Sequence, residues 1–326
     1  MTLFELDLPK EFEKEYLDMI KPDLINRIRH GHVYNGKKYE FSSKVKEILL
    51  PGWNTETPDD SIVKQLLIAE PENLKKLNDN IKGKIAALPC RRRASDKDIE
   101  IIFNYSGIFD TSSKSKAYKL ALKISAPTCC YCNRQYTFTV VKDGNSNKDD
   151  RITRPAFDHW FPKSKYPLMS ISLYNLIPSC TICNSSAKGS QDVNLDEYIH
   201  PYVHKSGHPK IEFIADVATE PDRNWTIKID REKDSPEDKT IKMFCLDEIY
   251  KEHDNLELKD LMDFKDKYPR GFLIELEKFL KDNKLDTVSV TQADVYRMLF
   301  GIEMDDTKHL NRPFGKMKSD ILKKLY

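Results

Sequence analysis

The chain carries two Cys-x-x-Cys pairs, Cys129/Cys132 and Cys180/Cys183, separated by 47 residues (133–179). Each pair has the spacing with which a tight turn presents two thiolates to one tetrahedral zinc, so the segment between them is expected to fold back until the pairs meet. Clustering of this kind suits metal ligation in a reducing compartment better than a disulfide framework, and the total of seven cysteines is odd. Cys90 and Cys245, each beside apolar residues, then read as small buried hydrophobes. Cys130 reads as a neighbour of the ligands and not one of them.

Around the pairs, 326 residues at 39% hydrophobic and 32% charged describe an ordinary soluble protein able to bury a large core, as one large domain or two to three modest ones. No apolar run approaches the roughly 18 residues of a membrane span. Met1-Thr2-Leu3-Phe4-Glu5-Leu6-Asp7 lacks the basic start and apolar core of a signal peptide, so a cytoplasmic location is expected. Residues 1–125 read as a helical region, 126–200 as the cysteine-bearing module and 201–326 as a mixed, mainly helical region, which makes α+β the expected fold class.

In the first region Phe12, Tyr16, Ile20, Leu24 and Ile28 repeat at i+4. Pro22 is expected to begin a second helix there, because an interior proline costs about 3 kcal/mol. Further helices are expected at 61–69, 71–86, 96–104 and 113–125. In the module, the aromatic and β-branched run 136–141 is followed by the turn signal Asp143-Gly144. A hairpin is expected there, its return strand at 152–157 delivering Asp158 and His159, and Cys183-Asn184-Ser185-Ser186 reads as a helix start. Beyond the module, strands are expected at 211–214 and 225–229, helices at 246–264, 271–282 and 291–301, and a polar loop from Asp234 to Lys239.

The net charge of +1 conceals an uneven distribution. Residues 111–142 hold Lys114, Lys116, Lys119, Lys123, Arg134 and Lys142 and no acid, and Arg91-Arg92-Arg93 is a second basic cluster. Residues 308–326 hold Lys308, Arg312, Lys316, Lys318, Lys323 and Lys324 against Asp320 alone. Such stretches attract a phosphate backbone where they gather on one surface, and are ordinary solvated helix faces where they do not.

Between the cysteine pairs stand Phe157-Asp158-His159-Trp160-Phe161-Pro162-Lys163 and Asn175-Leu176-Ile177-Pro178; Asn184 and Lys188 follow the second pair. In this order the segment from Cys129 to Lys188 resembles the HNH endonucleases, whose fold is a ββα-metal or treble-clef zinc unit. The resemblance implies that Asp158 and Asn184 bind a catalytic divalent cation, Mg²⁺ or Mn²⁺, and that His159 is the general base. It also implies that Asn175 orients the loop bearing His159 and that Lys163 and Lys188 lie near the phosphate. The long spacing departs from simple HNH proteins, and an extended hairpin from Lys142 to Thr153 is expected to absorb it. Large helical flanks around such a module are similar to HNH subunits of bacterial anti-phage systems of the Septu-type or retron-associated kind, which implies a DNA substrate and an ABC-type ATPase partner.

The residue types fit that chemistry independently. Phosphodiester hydrolysis needs a deprotonated water, a cation against the charge developing on phosphorus, and in-line placement. A carboxylate and an amide oxygen suit Mg²⁺, an imidazole with an ordinary pKa near 6.5 is a serviceable base at neutral pH, and four thiolates complete a zinc shell without His159. Plainer uses exist for each: His159 as a structural histidine or zinc ligand, Asn175 closing a turn, Asn184 capping a helix. His200, His204 and His208 recur every four residues, but Pro201 and Gly207 interrupt any continuous helix, so a connecting loop is expected there in preference to a second metal site. The competing functions are a non-catalytic zinc module that binds nucleic acid or protein, which has no need of Asp158, His159 and Asn184 together, and an RNA-cutting toxin.

Overall fold

A computed structural model describes residues 4–88, 92–109, 116–142, 151–203, 210–217, 225–268, 271–282 and 291–325. The first helix, α1 (Glu11–His30), buries Phe12, Tyr16, Ile20, Leu24 and Ile28 in one stripe and runs through Pro22 without a break. The expected interruption does not occur, because apolar burial on both sides of the proline offsets the backbone bond it removes. A hairpin follows that the helical reading of this region did not include: Asn35 and Gly36, at φ 49° and 74°, turn β1 (His32–Tyr34) into β2 (Lys37–Tyr39). Asn-Gly supplies two left-handed residues in succession, which a two-residue hairpin turn requires. Helices α2 (Ser43–Leu49), α3 (Ser61–Ile68), α4 (Pro71–Ala86), α5 (Arg92–Ile102), α6 (Tyr105–Phe109) and α7 (Lys116–Ile124) complete the region.

In the module, β3 (Val140–Val141) pairs with β4 (Arg151–Thr153), while Asp143 and Gly144 lie outside the described residues. Asp158 and His159 are not on that return strand. They lie on β5 (Ala156–His159), which pairs antiparallel with β6 (Leu176–Ser179), Asp158 opposite Ile177 and His159 opposite Leu176. Pro155 separates β4 from β5, and its missing N–H prevents one ladder from continuing into the next. A seven-residue π-helical segment, Ile182–Lys188, follows β6 after Cys180 and Thr181.

Beyond the module, β7 (Glu212–Val217) pairs with β8 (Trp225–Asp230). Helix α8 (Pro236–Met243) occupies most of the expected polar loop: the Ser235 side chain accepts from the Asp238 amide and Pro236 fills the first turn, a strong start signal that the charged composition concealed. The expected helix at 246–264 is divided into α9 (Leu246–Lys251) and α10 (Lys259–Lys267), and between them buried Asp254 accepts from the Ile227 amide at 2.7 Å, pinning the break to β8. Helices α11 (Phe272–Asp282), α12 (Gln292–Phe300) and α13 (Gly315–Leu325) end the fold. Cys245 is not buried as expected; it sits at φ 51° between α8 and α9 with its side chain exposed, and Cys90 lies outside the described residues.

One continuous cluster of buried apolar side chains runs from Phe4 to Leu322 through all three regions. No described helix is long and apolar enough to cross a membrane. The basic stretches are largely neutralised in space. In the C-terminal piece Lys308 pairs with Asp305, Arg312 with Glu303, Lys316 with Asp320, Lys318 with Glu257, Lys323 with Asp306 and Lys324 with Glu212. In 116–142, Lys116 pairs with Asp23 and Lys123 with Glu15. These pairs add little stability individually, but they offset the positive charge of the C-terminal stretch and part of that in 116–142. Lys114, Arg91 and the side chains of Arg92 and Arg93 lie outside the described residues.

Candidate metal centre and active site

The Sγ atoms of Cys129, Cys132, Cys180 and Cys183 lie within 4.8 Å of one another, and all four side chains are buried. Four thiolates held about 2.3 Å from one zinc stand roughly 3.8 Å apart, close to the 3.9 Å between Cys132 and Cys180. A closed, all-sulfur set of this size fits a structural zinc. The turns that shape it are local: the Asn133 amide donates to the Cys129 oxygen at 2.7 Å, the Asn184 amide to the Cys180 oxygen at 3.0 Å, and Asn133 adopts a left-handed φ of 46°. Cys130 points elsewhere, its Sγ 3.6 Å from the Pro178 oxygen.

Tyr131, inside the first turn, donates its hydroxyl to Asp158 Oδ2 at 2.8 Å. Lys188 Nζ lies 3.1 Å from Asp158 Oδ1 and donates to the His159 oxygen at 2.8 Å. Both members of this ion pair are buried. Burial pushes the Asp158 carboxyl up, and Lys188 and the Tyr131 hydroxyl oppose that rise. Lys188, expected beside the phosphate, therefore sits beneath the strand end and joins Asp158 to the main chain of His159.

His159 Nε2 is 2.9 Å from the Ser170 carbonyl oxygen. A carbonyl only accepts, so Nε2 carries the proton and Nδ1 carries the lone pair. Burial, reinforced by the charge of Lys163, pushes the His159 pKa down to about 3, so the ring is neutral across ordinary pH. Asn175 organises the loop that supplies this acceptor: its Oδ1 accepts from the Phe161 amide at 2.7 Å, and its Nδ2 donates to the Phe161 and Met169 oxygens at 3.1 and 2.9 Å. The next three residues are fastened to the N-terminal helices. The Ser170 hydroxyl donates to the Phe103 oxygen, Tyr16 donates to the Ile171 oxygen at 2.7 Å, and the Ser172 hydroxyl donates to the Leu66 oxygen.

These elements close around a cleft of about 480 Å³ whose lining includes Tyr105, Arg154, Asp158, His159, Lys163 and Asn184. The Tyr105 ring stands edge-on to His159 at 4.9 Å, and the Lys163 ammonium is 5.8 Å from the Tyr105 ring. Asp158, His159, Lys163 and Asn184 thus come together at one cleft; Asn175 stands behind it. His200 is elsewhere, buried 4.5 Å from the Trp160 ring with Nδ1 accepting from the Tyr202 amide at 3.2 Å. His204 and His208 lie outside the described residues, and among the described residues the four cysteines are the group that could hold a metal ion.

Sequence reasoning gave no role to Tyr131, Tyr105, Arg154 or Ser170. An aromatic residue inside a Cys-x-x-Cys turn was a usable signal for Tyr131. Ser170 acts through its main-chain oxygen, which no side-chain pattern reveals. Set against known proteins, the chain matches no family model, no curated protein and no solved structure.

Proposed function

We propose that this chain is a metal-dependent HNH endonuclease whose structural zinc is held by Cys129, Cys132, Cys180 and Cys183. The observation that carries the reading is His159: a neutral imidazole, fixed in one tautomer by the Ser170 oxygen, lining one cleft with Asp158 and Asn184 directly beside a four-cysteine cluster. On this reading β5, β6 and the π-helical segment would correspond to the two strands and the helix of the ββα unit.

On this reading His159 Nδ1 takes a proton from the attacking water. A base pushed down to about 3 is weak in the free protein. A phosphate anion in the cleft would offset the repulsion by Lys163 and raise the proton affinity of His159 when substrate is bound. Lys163 and Arg154 draw the phosphate in, and Lys188 with Tyr131 hold Asp158 in place. A carboxylate has about four lone-pair sites, of which Tyr131 and Lys188 use two, so Asp158 and the Asn184 amide oxygen can still hold Mg²⁺ or Mn²⁺. That cation would stabilise charge developing on the phosphate.

DNA is the proposed substrate, in a bacterial defence setting with an ABC-type ATPase partner. The exposed apolar side chains Ile274 and Phe279 on α11 and Met298 on α12 favour a protein partner at these helices. Incubating the purified protein with plasmid DNA and with structured RNA, in Mg²⁺ and in Mn²⁺, tests the activity. Cutting of RNA alone would transfer the reading to a ribonuclease, and size-exclusion chromatography after co-expression with a candidate ATPase tests the partner.

A further inference from the structure

Tyr136, Phe138, Val140 and Lys142 alternate along one face of the segment that enters β3, and all four are exposed. Tyr136 and Phe138 are 51% and 50% exposed, yet their rings stack on each other at 4.7 Å and 17°. Large aromatic side chains on a soluble protein are seldom left so open without an occupant. The segment beneath them is anchored by hydrogen bonds. Thr137, between the rings and facing inward, is buried; its hydroxyl donates to the Ala126 oxygen and its amide to the Pro127 oxygen, each at 2.8 Å. Tyr136 also bridges to Thr128, next to the first zinc-site cysteine. The backbone that carries the rings is therefore anchored, while the rings themselves are half exposed.

The strand paired with this one leads into the cleft. Val141 stands opposite Arg151 and Val140 opposite Thr153, and Arg154, the next residue, lines the cleft beside His159. The Arg151 and Arg154 guanidinium groups lie 5.8 and 5.9 Å from the Tyr118 ring. Stacked aromatic rings on the same face as the exposed Lys142 match the chemistry of an unpaired nucleotide strand: flat bases that stack on π-faces and a backbone that follows positive charge. A protein partner would be satisfied by any apolar surface, whereas rings stacked nearly parallel present flat π-surfaces.

We propose that Tyr136 and Phe138 form a base-stacking platform for single-stranded nucleic acid, with Lys142 contacting the backbone, and that the platform delivers the strand to the His159 cleft. The delivery step rests on the nuclease reading; the binding step does not.

The test measures binding of a fluorescein-labelled single-stranded oligonucleotide and of the matching duplex to full-length His159→Ala protein by anisotropy, across a salt series. Replacing both rings, Tyr136→Ala with Phe138→Ala, is expected to weaken single-strand binding by about tenfold or more with little effect on the duplex. Tyr136→Leu with Phe138→Leu is expected to weaken it similarly, since leucine keeps apolar area but has no π-face. Lys142→Gln is expected to lower the slope of log affinity against log salt by about 0.7, and the ring substitutions to leave that slope unchanged. Unchanged binding in the alanine pair, parental binding in the leucine pair, or absence of single-strand binding by the parent protein would overturn the platform. Ring-dependent binding without cutting by the wild-type protein would support the platform and remove the nuclease reading.

Discussion

His159 Nε2 donates to the main-chain oxygen of Ser170 across 2.9 Å, and the hydroxyl of Ser170 in turn donates to the Phe103 oxygen at the end of α5. The orientation of the cleft histidine is thus set from the N-terminal helices and not from the zinc module alone. Ile171 and Ser172 repeat the arrangement with Tyr16 and Leu66, so the large helical flank has a structural use at the site whatever else it does.

Tyr16→Phe tests that use. It removes one buried hydrogen bond, at about 1 to 3 kcal/mol because the Ile171 oxygen loses its partner. The variant should stay folded with its metal in place and cut more slowly than the parent. Chemical denaturation read beside cleavage rate checks this; a lost bond with an unaltered rate would mean that the flank does not position His159.

Lys188→Met should be severely destabilising, by about 3 to 5 kcal/mol, because it leaves the buried Asp158 carboxylate without its cation. Combining it with Asp158→Asn should recover part of the loss. If Lys188 instead faced a phosphate, Lys188→Met would change binding and hardly alter the urea midpoint.

Elemental analysis should find one zinc per chain, and Cys180→Ser should lose it and aggregate, since the bound metal supplies folding energy in such sites. Cys130→Ser should keep it, because Cys130 lies outside the sulfur cluster. Exposed Cys245 should react quickly with a thiol reagent in the native state, and Cys245→Ser should remove one fast-reacting thiol per chain.

His309 offers a pH test. It is buried, and burial pushes its pKa down to about 4. An unfolded imidazole titrates near 6.5, so as pH falls through that value the unfolded chain binds a proton that the folded chain refuses, and stability is lost between about 6.5 and 4. By linkage the parent should lose about 2 kcal/mol more than His309→Gln between pH 7 and pH 5. Equal losses in denaturation at the two pH values would contradict the assignment.

Much of this was legible in the sequence where local rules decide. The Cys-x-x-Cys spacing identified the four thiols that gather, and the i+4 stripe from Phe12 to Ile28 identified the buried face of α1. The errors arose where tertiary context decides. Pro22 is tolerated because both flanks of its helix are buried, and Lys188 turns inward because Asp158 is buried opposite it. The C-terminal lysines are paired with acids such as Glu212 and Glu257, far away in sequence, so a linear count overstated the positive surface. The hairpin at Asn35-Gly36 carries a local turn signal, but the helical periodicity on either side of it masks that signal.

The central claim is that His159 is the base of a metal-dependent phosphodiester hydrolysis, and His159→Ala tests it most directly. Plasmid cleavage in Mg²⁺ or Mn²⁺ should fall by about 10²- to 10⁴-fold, the usual contribution of a positioned general base, while zinc content and the circular dichroism spectrum stay those of the parent. Cleavage at the parental rate by His159→Ala would contradict the account, as would a zinc-loaded parent that cuts neither DNA nor RNA with either metal.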